Sequence, residues 1–270
     1  MAVPATKVLL ALEDTRDADL SIQVTGYQWK WKYDYLGEDV SFFSSLTTPR
    51  EQIEGSAEKG ENYLLEVDNP VVVPINKKIR FLITSNDVIH SWWVPALGWK
   101  QDAVPGFIND AWTELREPGT YRGKCAELCG KDHGFMPIVV IAKAPEDYAK
   151  WVAEQKGAAE AEAASADREW TKDELMAKGE QVYTTNCAAC HQANGQGLPP
   201  TFPSIAGSPI ATGDAAAHIG LVMNGKAGTA MAAYRDVLKD ADMAAVLTYQ
   251  RKSWGNDASI IQPAAIKAAR

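Results

Sequence analysis

Residues 21–35 read SIQVTGYQWKWKYDY. Tyr27, Trp29, Trp31, Tyr33 and Tyr35 take alternate positions, with Gln28, Lys30, Lys32 and Asp34 between them. Successive side chains of an extended chain point to opposite faces, so this alternation predicts one β-strand with an aromatic face. Outward from it, short β-like runs follow: YLLEV at 63–67, VVVP at 71–74, IRFLI at 79–83, VIHSWW at 88–93, TYRGKC at 120–125 and PIVVIA at 137–142. Pro, Gly, Asn and Asp punctuate them. Many short strands over about 140 residues predict an antiparallel sandwich or barrel.

The pattern changes near Pro145. EDYAKWVAEQKGAAEAEAASADR, residues 146–168, is rich in Ala and Glu and predicts a helix running into a semi-flexible linker. The expected division is therefore a β domain over 1–156, a linker over 157–168 and a second domain over 169–270. That second domain reads as helical. Thr171 with Glu174 three residues on forms a capping-box pattern, opening a helix to about Thr185. A second helix fits 214–223, closed by Asn224-Gly225, and a third fits 240–253 with Asp240 as its cap. In the third, Met243, Val246, Leu247 and Tyr249 are the expected buried residues. The stretch GQGLPPTFPSIAGSP between the first two is loop. No internal repeat is evident.

The chain has 270 residues, 46% of them hydrophobic and 23% charged, which is ordinary globular composition and argues against disorder or collagen. No stretch approaches the roughly 18 uncharged apolar residues of a membrane helix, and no secretory signal is visible. Lys and Arg total 27 against 35 Asp and Glu, for a net charge of −8. Nucleic acid is an unfavourable partner for such a surface, whereas a basic protein or a cation suits it. Most of the acidity lies early: residues 1–150 hold 16 basic and 22 acidic side chains, residues 151–270 hold 11 and 13.

The four Cys, at 125, 129, 187 and 190, and the four His, at 90, 133, 191 and 218, fall into one cluster per half. Two local clusters with His beside Cys point to two cofactor sites rather than a disulfide framework. Cys187-Ala188-Ala189-Cys190-His191 is CxxCH, the attachment sequence of c-type haem. On a helical turn, Cys187 and Cys190 share a face and can each form a thioether, and His191 can then reach the iron. A redox or zinc CxxC is the competing reading, but no second Cys pair exists to complete a zinc site. A Met thioether as sixth ligand would raise the potential into a range useful for electron transfer. Met176 precedes the attachment site on its own helix and Met223 and Met243 sit at helical spacing, where packing is expected. Met231 lies in the irregular loop GKAGTAMAAY, 40 residues past His191, and is the expected ligand. From about residue 169 to 254 the chain resembles a class I cytochrome c: CAACH, the Pro-containing loop at 199–203, a loop Met and a closing helix with Tyr249 occur in order. His218, in GDAAAHIG, has no partner pattern and reads as a surface or packing residue.

Residues 125–136 read CAELCGKDHGFM. Two thiolates, an imidazole and a thioether on one loop make a soft donor set, which selects copper over calcium or magnesium. A disulfide between Cys125 and Cys129 is an alternative, as is zinc held with His90 and His133. The pattern C-x-E-x-C-x3-H-x2-M resembles the dinuclear copper centre, CuA, of cytochrome c oxidase subunit II. IHSWWVPALGWKQDAVPG and GYQWKWKYDY match further segments of that family, so the resemblance covers about residues 20–150.

The resemblance implies a Greek-key cupredoxin barrel followed by an all-α cytochrome c domain. It implies two copper ions bridged by Cys125 and Cys129, with His90, His133, Met136 and the backbone carbonyl of Glu127 completing the set. It places Trp29 near the copper centre and the surface where a donor docks. It also associates the Glu127 carboxylate and Asp102 with a magnesium ion at the contact with oxidase subunit I. Family members begin with two membrane helices that are missing here, so a soluble, periplasmic piece of a membrane-anchored bacterial subunit of the caa type is expected. Its expected partners are subunit I, the other oxidase subunits, and a donor cytochrome c or upstream respiratory complex. Two other classes share part of the signal: the CuA module of nitrous oxide reductase, which usually has an aromatic residue where Glu127 stands, and a copper storage or delivery protein.

Overall fold

A computed structural model describes residues 2–229 and 231–270. It divides into two compact units, residues 1–157 and 158–270, each described by itself.

The first unit opens with a short helix, α1 (Ala2–Leu12), and then carries ten strands. They are β1 (Leu20–Tyr27), β2 (Lys30–Leu36), β3 (Val40–Ser44), β4 (Val71–Pro74), β5 (Ile79–Ser85), β6 (His90–Trp93), β7 (Lys100–Ala103), β8 (Asn109–Thr113), β9 (Gly119–Cys125) and β10 (Pro137–Lys143). Helix α2 (Arg50–Glu54) interrupts the long connection from β3 to β4. Two five-stranded sheets result, in the orders β3-β2-β1-β5-β8 and β4-β10-β9-β6-β7. The expected barrel is thus built as two sheets, and pairs β1–β5 and β4–β10 run parallel within otherwise antiparallel neighbours.

The aromatic stretch is not one strand. It folds into a hairpin, with Gln28-Trp29 as the turn and Tyr27 opposite Lys30. Paired residues share a face, so Ile22, Val24 and Gly26 of β1 lie on the side of Tyr35, Tyr33 and Trp31 of β2. That face is core: Ile22, Val24, Trp31, Tyr33 and Tyr35 are buried. Tyr27 is displaced to the opposite face, edge-on to Phe43 with ring centroids 5.2 Å apart. Gln-Trp carries none of the Asn-Gly chemistry that marks a two-residue turn in sequence. The run YLLEV is a turn with Leu64 at φ 60°, and only Val67 forms a bridge, to Leu46. Its apolar composition imitates a strand, but both of its flanks are loop.

The inner faces of the sheets meet in one core. Phe81 stacks on Trp92 at 5.1 Å and Trp92 on Trp99 at 5.2 Å. The Trp92 indole N–H donates to the Tyr33 hydroxyl at 3.2 Å, which spares both buried polar atoms an unpaired state. Each large side chain removed from water in this way stabilises the unit by about 2–3 kcal/mol.

Helix α3 runs unbroken from Pro145 to Ala166. The segment expected as a semi-flexible linker is therefore helical for most of its length, and the division between units falls within it, after Gly157. Ala and Glu are strong helix formers, and Gly157 alone does not terminate a helix whose one Pro, Pro145, is its first residue. Trp151 of α3 packs on Tyr35, 5.2 Å between centroids, and Lys156 pairs with Glu38.

The second unit is helical: α4 (Lys172–Asn186), α5 (Ala188–His191), α6 (Pro209–Thr212), α7 (Ala215–Asn224), α8 (Asp240–Lys252) and α9 (Pro263–Ala269). Thr171 caps α4 with the reciprocal Glu174 contact complete. Gly225 closes α7 in the left-handed region at φ 68°. Helices α4 and α8 cross closely because Gly179 has no side chain; a Cβ there would meet the Ala245 carbonyl oxygen at 2.2 Å. Met223, Met243, Val246 and Leu247 are core, whereas Tyr249 is only half-buried and packs on Tyr183 at 5.5 Å. Lys239, not Asp240, takes the N-cap position of α8, without a side-chain hydrogen bond. Among the described residues no helix is long and apolar enough to cross a membrane.

Candidate functional site

In the first unit the site grows from strand pairing. Trp92 of β6 is opposite Cys125 of β9, so the segment that begins at His90 lies beside the loop that leaves Cys125. The loop returns on itself: the Cys125 N–H donates to the Met136 carbonyl at 3.0 Å, and β10 then pairs back along β9. Thirty-five residues of sequence separation between His90 and Cys125 become one cluster.

The donor atoms form a row. His90 Nδ1 lies 3.9 Å from Cys125 Sγ, Cys125 Sγ 3.8 Å from Cys129 Sγ, and Cys129 Sγ 3.4 Å from His133 Nδ1. The Glu127 carbonyl oxygen lies 3.4 Å from Cys125 Sγ. His90, Cys125 and Cys129 are buried with their ligand atoms mutually within 4.8 Å, and Met136 is buried beside them. The two sulfurs are unlinked thiols, so the disulfide alternative is not realised. A donor set of two sulfurs flanked by an imidazole on each side fits copper by its softness and by its buried, preassembled arrangement.

His90 is held from behind. Its Nε2 lies 2.8 Å from the Asp87 carboxylate, leaving Nδ1 toward the sulfurs. Asp87 is itself fixed by the backbone N–H groups of Val88 and Gln28, at 2.6 and 2.7 Å. Burial opposes charge on His90, but the Asp87 carboxylate and the Cys125 sulfur together outweigh it and hold the imidazole above its usual pKa. Gly26 gives the ring room, since a Cβ there would meet His90 Cδ2 at 2.7 Å. The thiols are driven apart. Burial raises Cys125, yet His90 and the backbone of Ser91 and Glu127 more than offset this and lower it. Burial and the neighbouring Cys125 sulfur raise Cys129.

Trp29 sits in the β1–β2 turn, and its indole N–H donates to the Cys129 carbonyl at 3.1 Å, joined there by the Gln28 amide at 2.8 Å. The Glu127 side chain is exposed. Asp102 on β7 pairs with Lys100 at 2.8 Å and accepts from the Ser91 hydroxyl at 2.7 Å. Sequence reasoning missed Asp87, Gln28 and Gly26. An acidic residue three before a ligating His was the available signal, because metal-bound imidazoles commonly carry a carboxylate on their other nitrogen.

In the second unit, Cys187 ends α4 and α5 carries Cys190 and His191. The Cys190 and His191 N–H groups both return to the Cys187 carbonyl, at 3.2 and 2.9 Å. The His191 Nδ1–H donates to the Pro203 carbonyl at 2.9 Å, which fixes the tautomer and leaves Nε2 free as a ligand atom. These features fit a covalently attached haem. Met231 lies in the connection from α7 to α8, half-buried against the same core, its carbonyl accepting from Lys226 N–H at 3.0 Å. His218 is buried on α7, away from the surface, with its Nε2 against Gln250 of α8.

Comparison with known proteins follows the same division. Residues 20–143 match the family model "Cytochrome C oxidase subunit II, periplasmic domain". A solved relative, the periplasmic domain of subunit II of cytochrome oxidase from Bradyrhizobium japonicum, is 41% identical, with 98% of its chain and 53% of this one covered and a TM-score of 0.48. The chain belongs to the cytochrome c oxidase subunit II family. Curated subunit II relatives include a probable cytochrome c oxidase subunit 2 from Rickettsia bellii, 46% identical over 57% of this chain and 55% of its own. Another, from Cyanidium caldarium, is 43% identical over 56% of this chain and 60% of its own. The chain thus spans about half the length of the curated subunit II relatives it matches. Residues 174–249 match a second family model, "Cytochrome C oxidase, cbb3-type, subunit III". The chain therefore consists of a cupredoxin-like unit followed by a helical, cytochrome c-like unit.

Proposed function

We propose that the chain is the extracytoplasmic electron relay of a terminal oxidase. Electrons from a donor cytochrome c or an upstream respiratory complex would reach haem c, pass to a CuA pair, and leave to the haem–copper centres of subunit I for oxygen reduction. The observation that carries this reading is the row His90–Cys125–Cys129–His133 on one unit and the freed Nε2 of His191 on the other.

The site residues divide the work. Cys125 and Cys129, with His90 and His133 at the two ends of the row and Met136 and the Glu127 carbonyl beside them, would hold the copper pair. When bound, the copper pair takes up and gives back one electron. Asp87 holds His90 in the ligating tautomer, and the buried β6–β9 pairing keeps the donors from moving, so little reorganisation accompanies each transfer. Trp29, bonded to the Cys129 carbonyl, is the proposed point at which electrons enter the copper unit. In the cytochrome unit Cys187 and Cys190 would attach the haem, and His191 and Met231 would hold its iron. Glu127, with Asp102 nearby in the family's segment, would face a magnesium ion at the subunit I contact; Asp102 is meanwhile neutralised by Lys100.

The relatives' greater length supports an anchor of membrane helices outside this chain, with the described units on the periplasmic side. An acidic surface of net charge −8 would steer a basic donor, with a rate that falls as salt rises.

One experiment tests the relay. The copper-loaded, haem-bearing chain should be purple, with a seven-line EPR signal, and after flash reduction of the haem under anaerobic conditions the copper band should bleach. Zinc alone in the first unit would overturn the reading. In the same sample, Met231→Ala should abolish the sulfur-to-iron charge-transfer band of the oxidised haem, and an unchanged band excludes that ligand. Copper bound only as Cu(I), without colour, would favour storage or delivery instead.

A further inference from the structure

Three helices of the cytochrome unit contribute to one line of polar contacts inside its core. His218 on α7 places Nε2 2.9 Å from Gln250 Oε1 on α8. The Gln250 amide nitrogen lies 3.9 Å from Cys187 Sγ at the end of α4. Both His218 and Gln250 are 3% exposed. His218 Nδ1 is buried and has no hydrogen-bond partner among the described residues.

Packing alone does not account for this arrangement. A buried polar atom left unpaired costs about 1–3 kcal/mol, and a leucine at either position would avoid it. Burial, reinforced by the Arg251 charge, pushes the His218 pKa down to about 4, so the ring is neutral and carries one proton. Geometry assigns that proton. Once Cys187 is a thioether its sulfur has no hydrogen to give, so only an amide N–H facing it avoids an acceptor–acceptor contact. The Gln250 oxygen must then face His218, which requires the proton on Nε2. The unpaired Nδ1 lone pair is the cost of fixing the amide in this sense.

We propose that His218 and Gln250 form a positioning relay that aims an amide N–H at the Cys187 sulfur and thereby raises the midpoint potential of the haem attached there. This rests on the haem reading above. Hydrogen bonds near a redox centre are one of the levers by which a protein sets its potential. The positive end of an N–H dipole beside the thioether favours the electron-richer, reduced state. His218 acts through Gln250, its hydrogen-bond partner.

The relay makes a prediction that packing does not. Gln250→Met keeps the bulk and removes the amide; His218→Leu leaves the amide free to turn. Each should lower the haem potential by a similar amount, corresponding to about a tenfold change in the one-electron equilibrium constant, or 59 mV. The double variant should shift no further than either single one, and His218→Asn, which keeps an N–H donor, should recover part of the loss. Unmoved potentials, or additive shifts, would overturn the relay. A measurement on the unaltered chain stands beside these: in the reduced holoprotein the Gln250 side-chain amide protons should resist solvent exchange, and rapid exchange would equally overturn it. Covalent haem, read by mass and by the pyridine haemochrome spectrum, is checked first. Its absence from the unaltered chain would sink the haem reading, a result distinct from a loaded haem whose potential does not respond.

Discussion

A single carboxylate organises the copper-side imidazole. Asp87 accepts from His90 while two backbone N–H groups fix it in turn, so the ring cannot rotate without giving up a contact to an immobilised carboxylate. In Asp87→Asn the charge is lost and an amide NH2 must face one of those donors. Copper affinity should fall 10- to 100-fold, as for other carboxylate–histidine supports, read by copper titration of the visible band; unaltered affinity would show that the chain holds His90 without it. His218 provides a second residue-scale test. Its pKa lies near 4 in the folded chain against 6.5 in the unfolded one. A depressed value means that the unfolded state binds the proton first as pH falls. The contribution to stability is complete above pH 6.5 and is lost progressively down to about pH 4, to a total of order 3 kcal/mol. Urea unfolding at pH 7 and pH 5 should show this loss, and His218→Leu should shrink it; an equal loss in both proteins would contradict the assignment. The candidate ligand residues could be picked out in sequence because soft donors are scarce and their spacing is informative. Asp87 and Gln250 were not, because Asp and Gln are common on surfaces and only tertiary placement distinguishes these two.

At the scale of elements, the legible parts were those with a local cause. The capping box of α4 is written in Thr171 and Glu174, and the structure completes it. Thr171→Ala should cost about 1 kcal/mol, seen as a lower denaturation midpoint of the helical unit. An unchanged midpoint would mean that tertiary packing alone sets the start of α4. Where pattern and topology diverged, parity was the reason. A two-residue turn preserves the odd–even rhythm of a sequence while reversing the chain, so the alternation through Trp29 concealed a hairpin. Strands β7 and β8 escaped notice because they are short and mostly polar outward. Helix α3 was legible as Ala and Glu but not in length, since the same composition serves helix and linker. Gly157 lies within that helix with nothing within 4 Å of where a Cβ would be. Gly157→Ala should therefore raise stability by about 0.5–1 kcal/mol through reduced unfolded-state freedom, measured as a higher thermal midpoint; a decrease would show that α3 needs the glycine's freedom there.

The whole molecule has two separate cores. One gathers Trp31, Tyr33, Phe81, Trp92 and the two copper-side cysteines; the other gathers Leu175, Tyr183, Met223, Met243 and Leu247. A ligand that binds only a folded unit stabilises that unit by mass action, by about 4 kcal/mol when its free concentration is a thousand times its dissociation constant. Copper should act on the first core in this way, because all of its proposed donors lie between residues 90 and 136 and none belongs to the helical unit. Two transitions should then be resolved on heating. One, followed by tryptophan fluorescence and the visible copper band, should move to higher temperature on copper loading and return when a chelator removes the metal. The other, followed by the haem Soret band, should stay where it is. A chain of this kind cannot be described by a single unfolding free energy. If both signals moved together, copper binding would be reaching the second core, and the pair of units would have to be treated as one cooperative body.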